Sequence, residues 1–171
     1  MMTVGLNVCV WSATKVVRIA IGSDHAGHRL KTELFDRLQR EGFEVLDCAG
    51  GPERSDYPMA AERVGRAVTS GEAHRGVLVC GSGIGVAIAA NKVPGIRAAT
   101  IGEPVSARLC REHNDVNVIC LGERLIGPEM AWECVRVFLL TNHSSEGRHS
   151  VRVAQIHAIE NENGKRSGQG D

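Results

Sequence analysis

Aromatic residues are scarce in this chain, with three Phe, two Trp and one Tyr among 171 residues. A core built on aromatic packing is excluded, so aliphatic side chains have to supply it. None of the six cysteines (Cys9, Cys48, Cys80, Cys110, Cys120, Cys134) stands in a CxxC pair. That spacing fits neither a zinc site nor the disulfide framework of a small secreted domain, and reduced thiols in a cytoplasmic protein are the simplest account. No apolar run approaches the ~18 residues of a membrane span. Twenty basic residues are cancelled by twenty acidic ones. Neither a membrane nor a nucleic acid is therefore expected as a partner. The length suits one domain with a core of its own.

Residues 1–15 are mildly apolar with Lys15 as their only charge. They lack both the basic start of a secretory signal and the arginines of a transit peptide, and read as an N-terminal extension. The stretch 161–171 (NENGKRSGQGD) has no apolar residue and reads as a disordered tail. Between them, 16–160 alternates β-type and helical patterns. Strands are expected at Val16–Ile21, Phe43–Cys48, Val77–Cys80, Ile96–Ile101 and Val116–Leu121. Helices are expected through Leu30, Leu34 and Leu38, from Pro58 to Thr69, from Val86, over Pro104–Glu112, over Pro128–Leu140 and over Ser150–Glu160. Strands separated by helices of this length predict an α/β domain with a mostly parallel five-stranded sheet covered on both faces.

The run Val77-Leu78-Val79-Cys80-Gly81-Ser82-Gly83-Ile84-Gly85 carries the most chemistry. It puts a thiol and free backbone N–H groups at the carboxyl end of a strand, where open α/β sheets bind ligands. Negative charge on a thiol is favoured at a helix N-terminus. The loop reads either as an anion-holding cradle or as a plain turn that needs positive φ. Glycines at 81, 83 and 85 fail the GxGxxG register, since Val86 occupies the third place. Glu103 could still imitate a ribose-binding acid, so a dinucleotide site is weak but open. A buried small hydrophobe is the ordinary role of a lone cysteine, and the other five keep that reading.

Asp24 and His25 follow the first strand at the same sheet edge, where the plain alternative has Asp24 capping the following helix and His25 solvated in its first turn. His25 and His28 beside Asp24 have no further well-placed ligand, so no metal is expected. His113 and Asn114 close a helix, Arg124 follows the last strand, and Arg148 and Arg152 stand one helical turn apart. Two arginines on one helical face can clamp a phosphate with forked hydrogen bonds.

Together the segments GSDHAG at 22–27, SDYP at 55–58, CGSGIGVAIAANKVPGIRAA at 80–99, EPVSARLCREHNDVNV at 103–118, GER at 122–124 and EGRHSVRV at 146–153 resemble the ribose-5-phosphate isomerase B family. That family has galactose-6-phosphate isomerase relatives. The resemblance spans roughly 16–160. It implies a Rossmann-like three-layer fold and a metal-free, cofactor-free aldose–ketose isomerase of a sugar phosphate, ribose 5-phosphate first and a tetrose or hexose phosphate as the alternative. Carried onto this chain, Cys80 would move a proton between C1 and C2 through an enediolate. Ser82 and the backbone N–H groups of Gly81, Gly83, Ile84 and Gly85 would hold the oxyanion. His113 would open the sugar ring beside Asn114. Asp24, His25 and Tyr57 would contact substrate, and Arg124, Arg148 and Arg152 would take the phosphate. The resemblance also implies a homodimer or dimer of dimers with sites shared between subunits.

Overall fold

The computed structural model describes residues 17–49, 53, 55–145 and 147–167. The expected N-terminal extension and Cys9 lie outside them. The described residues form five strands, β1 (Arg18–Ser23), β2 (Glu44–Ala49), β3 (Arg75–Cys80), β4 (Ala98–Thr100) and β5 (Val118–Gly122). They also form six helices, α1 (His28–Arg40), α2 (Tyr57–Thr69), α3 (Ile84–Ala90), α4 (Pro104–Asn114), α5 (Pro128–Leu140) and α6 (Arg148–Ser167). Every strand pair is parallel, in the order β2-β1-β3-β5-β4.

Side-chain alternation along each strand sorts the core into two layers. Ile19 and Ile21, Val77 and Val79, and Ile119 and Leu121 face α1, α4 and α5, where Leu34, Leu38 and Phe138 are fully buried. Leu30, Leu34 and Leu38 recur every four residues, and that single apolar stripe is the face α1 presents to the sheet. Ala20, Leu78, Cys80, Val118 and Cys120 face the other way. There α2 and α3 supply Ala60, Ala61, Val64, Val86, Ala87 and Ala90. Small side chains let those helices lie close, and Gly76 leaves the space that Val64 fills.

Several boundaries differ from the sequence reading for identifiable reasons. β1 runs to Ser23, beyond the apolar run, because Ser23 still pairs with Val79 of β3. β4 is only three residues long, since Ile96 closes a turn onto Val93 and the strand has one neighbour. On its open side, the Asn91 carboxamide takes the place of a missing strand. It accepts from Ala98 N–H at 2.7 Å and donates to Ala98 C=O at 2.9 Å. α6 continues past Glu160 to Ser167, so residues 161–167 of the expected tail extend that helix. Glu103 caps α4, accepting from the N–H groups of Val105 and Ser106.

The strand order reverses between β1 and β3, since the chain steps from β1 out to β2 and returns on the far side. Such a switch opens a crevice at the carboxyl ends of the two strands. In an all-parallel sheet each connecting helix runs back toward the amino edge. α4 therefore leaves the carboxyl edge after β4 and ends beside the start of β5. Its 11 residues carry its last turn ~16 Å away from where it began.

Candidate active site

The crevice at the β1/β3 switch is a cleft of about 470 Å³. Asp24, His25 and Ala26 line it from β1, Cys80, Gly81, Ser82 and Gly85 from β3 and its loop, and Arg124 and Leu125 from β5. Ser55, Asp56 and Tyr57 close the remaining side. Eight of the residues singled out in the sequence thus meet in one place.

Each is held by bonds the local sequence dictates. Cys80 is 4 % exposed and accepts the Gly83 N–H on its sulfur at 3.1 Å. Gly83 makes this contact by adopting φ +74, a left-handed conformation that suits glycine at the mouth of α3. The Ile84 N–H is engaged by Ser82 Oγ at 3.3 Å. Neither Gly83 nor Ile84 lines the cleft, and the Ile84 side chain is 54 % exposed. Those two expected oxyanion donors therefore serve the loop itself, whereas Gly81, Ser82 and Gly85 line the cleft.

Asp24 is 6 % exposed and accepts from both Ala26 N–H and Gly27 N–H at 3.0 Å. One carboxylate oxygen, Oδ1, takes both bonds and closes the turn. His25 Nδ1 lies 2.9 Å from the Ser55 carbonyl oxygen. A carbonyl only accepts, so Nδ1 carries a proton in this bond. The Tyr57 ring lies over Gly85, where an added Cβ would come within 2.8 Å of it. Arg124 is tied to the same loop. Glu123 N–H donates to Cys80 C=O at 2.9 Å and Arg124 N–H to Gly81 C=O at 3.1 Å. Glu123 in turn accepts from Leu30 N–H at 2.9 Å and from Arg29 at 3.2 Å, fastening the 122–124 segment to the start of α1.

Four other cysteines sit in different surroundings. Burial pushes the thiols of Cys48, Cys110 and Cys134 up to about 11 and that of Cys120 higher still. These stay protonated and behave as small apolar side chains. Among the described residues, no three His, Cys, Asp or Glu side chains gather as a metal-binding group, and no helix is long and apolar enough to cross a membrane.

The remaining candidates stand elsewhere. His113 and Asn114 end α4 at the amino edge of the sheet. Arg148 and Arg152 open α6 at that same edge. There the His113 and His149 rings stack with centroids 4.1 Å apart and planes 3° from parallel. Ser144 N–H and His143 Nδ1 both bond Glu112 C=O, at 3.0 Å each. Asp115 fixes the corner in the left-handed conformation at φ 47. It bonds Arg111 and Arg97, each at 2.7 Å. Burial raises the Asp115 carboxyl, and Arg111 and Arg97 outweigh it, holding the group below the usual range. One folded chain therefore does not bring this group to Cys80.

Sequence reasoning missed Ala26, Ser55, Asp56 and Leu125 as cleft lining, although Ser55 and Asp56 stand in the SDYP segment. It also gave Asp115, Glu123 and His149 no role, though each adjoins a residue that had one. The signal available was adjacency alone.

The family model described as Ribose/Galactose Isomerase matches residues 19–156. The Escherichia coli ribose-5-phosphate isomerase B is 46 % identical over 144 residues, 84 % of this chain and 96 % of its own. A D-erythrulose-4-phosphate isomerase of Pectobacterium atrosepticum is 44 % identical over 126 residues, covering 72 % and 83 %. Among solved structures, the Clostridium thermocellum ribose-5-phosphate isomerase B superposes with a TM-score of 0.84 at 47 % identity, over 86 % of this chain and 99 % of that one. The Trypanosoma brucei type B enzyme gives 0.80 at 45 % identity, over 85 % and 99 %. With its all-parallel three-layer sheet and its cysteine-bearing cleft, the chain belongs to the ribose/galactose isomerase family of aldose–ketose isomerases.

Proposed function

We propose that this chain interconverts ribose 5-phosphate and ribulose 5-phosphate in the cytoplasm, without metal or cofactor, at sites completed by a second copy. The observation that carries the reading is the division of its functional residues between two edges of one sheet. The Cys80 cleft holds a base, loop donors and one arginine. The opposite edge holds His113, Asn114, Arg148 and Arg152. Neither half serves the whole reaction, and each supplies what the other lacks. Exposed apolar side chains beside the cleft, Tyr57, Met59, Ile84, Ile88 and Leu125, offer a surface for the second copy.

The chemistry follows from the residues. In the completed site His113 takes the proton of the anomeric hydroxyl and hands it on to the ring oxygen, so the ring C–O bond breaks and the aldehyde forms. Cys80 then removes the C2 proton. The loop N–H groups of Gly81, Ser82 and Gly85 stabilise the enediolate oxygen. Such preorganised donors are typically worth ~3–4 kcal/mol each in comparable sites. The same proton returns to C1 as the hydroxyl proton passes from O2 to O1, and the ketose forms. Arg124 from the cleft, with Arg148 and Arg152 from the second copy, grips the phosphate and orients the reacting carbons.

A coupled assay with ribose 5-phosphate, run with and without a chelator, tests substrate and metal independence together. Turnover undiminished by chelator is expected for the wild type, and loss of turnover in Cys80→Ala with folding intact. Near-normal activity in that variant sinks the mechanism. A tetrose phosphate is the second reading, favoured by the 44 % identity to an enzyme named for D-erythrulose 4-phosphate. Comparing kcat/KM across four-, five- and six-carbon phosphates decides between them.

A further inference from the structure

His149 has no task in the mechanism above, yet its ring lies flat against the ring assigned to sugar opening. We propose that His149 is a positioning residue for His113, a neutral stacked partner that holds the His113 ring in plane while it takes up and releases a proton. The inference rests on the reading in which His113 opens the furanose ring.

The geometry isolates the stack as the lock. His113 is the next-to-last residue of α4, and the helix stops one residue later. His149 is the second residue of α6, and its ring is parallel to that of His113 within 3° at 4.1 Å. The two segments are pinned nearby by Ser144 N–H and His143 Nδ1 on Glu112 C=O. The His149 ring is therefore delivered to a fixed place.

The surroundings of His149 favour its neutral ring. Burial lowers the His149 pKa, and His113, Arg148, Arg152 and His143 lower it further. His149 Nδ1 is buried and has no hydrogen-bond partner among the described residues. A second N–H there would go unsatisfied, which also favours the neutral ring. The adjacent Glu112 carboxylate is taken by Arg108 at 2.6 Å, so it does not neutralise the imidazoles. Ring opening passes through a His113 imidazolium, because the O1 proton is taken up before a proton is handed to the ring oxygen. A neutral π-face in contact supports that cation, whereas a second cation would oppose it.

The test compares His149→Ala with His149→Phe, which keeps a flat neutral partner. Substrates are ribose 5-phosphate, which is mostly cyclic, and erythrose 4-phosphate, which cannot close a furanose because O4 is esterified. His149→Ala is expected to lower kcat on the pentose about tenfold with KM within about twofold. Its rate on the tetrose should change less than about twofold, and His149→Phe should recover most of the lost pentose kcat. Equal losses on the two substrates, or full pentose activity in His149→Ala, overturn the proposal. His113→Ala separates the two roles. If that variant keeps pentose turnover, the ring-opening role falls and this proposal with it. If His113→Ala is impaired and His149→Ala is not, the role of His149 alone is refuted.

Discussion

Mixing two dead variants should restore activity. Cys80→Ala removes the base from the cleft, and His113→Ala removes the ring at the end of α4, on the opposite edge of the sheet. In a symmetric dimer with sites shared across the interface, each homodimer carries the same defect in both sites. General acid–base groups of this kind contribute about 10²-fold or more, so each parent should retain about 1 % or less of wild-type turnover. A mixed dimer is different. One of its sites combines the two intact halves, and the other combines the two defects. Random association of equal amounts makes about half the dimers mixed, so the mixture should recover about a quarter of wild-type activity. Mixed dimers isolated with two different affinity tags should show about half. The assay is ribose 5-phosphate turnover on co-refolded or co-expressed chains. Isolated mixed dimers no more active than their parents would refute the division of the site and require Cys80 and His113 to act within one chain.

Three further outcomes follow from single contacts. Gly27→Ala places a Cβ 2.6 Å from the Val79 carbonyl carbon and oxygen; backbone cannot yield as a side chain can, so a loss of about 2–3 kcal/mol is expected in denaturant unfolding. Glu123→Ala removes the acceptor of Leu30 N–H and Arg29, which should cost about 1 kcal/mol of stability and raise KM several-fold by loosening Arg124, with kcat little changed. Asp115→Asn strips the charge facing Arg111, 2 % exposed in its side chain, and should cost about 2 kcal/mol at neutral pH. Because the folded Asp115 carboxyl is held below its unfolded value of 3.8, its contribution is full above about pH 4 and fades as pH falls through the folded value. Wild type and Asp115→Asn should therefore converge in Tm toward pH 3, and a constant gap across that range would contradict the assignment.

Much of the fold was legible because aliphatic runs and leucine spacing report burial directly. Pro128–Leu140 and the stripe through Leu30, Leu34 and Leu38 stand where the pattern put them. The order of β4 and β5 was not legible, since both are short apolar strands after similar helices and nothing in either composition says which one lies beside β3. The Cys80 loop was legible as a strand end followed by glycines. Its internal bonding was not, because Gly83 and Ile84 N–H groups could face either a ligand or their own loop, and only the φ of +74 at Gly83 turns its N–H onto Cys80. The separation of His113 from Cys80 follows from helix polarity in a parallel sheet, yet it becomes visible only once every strand is known to run the same way.

The Asn91 carboxamide at β4 has a consequence for how copies of this chain can meet. A sheet edge with free N–H and C=O groups invites a foreign strand to zip onto it, which builds continuous sheets and, without closure, fibrils. Here one side chain occupies both backbone groups of Ala98, the first residue of a strand that is only three residues long. An incoming strand would have to displace two bonds of 2.7 and 2.9 Å to gain a ladder with almost no length. Sheet extension at this border is thus discouraged by a single amide, and association is left to helices and loops, where contacts are finite and a partner cannot be added without end.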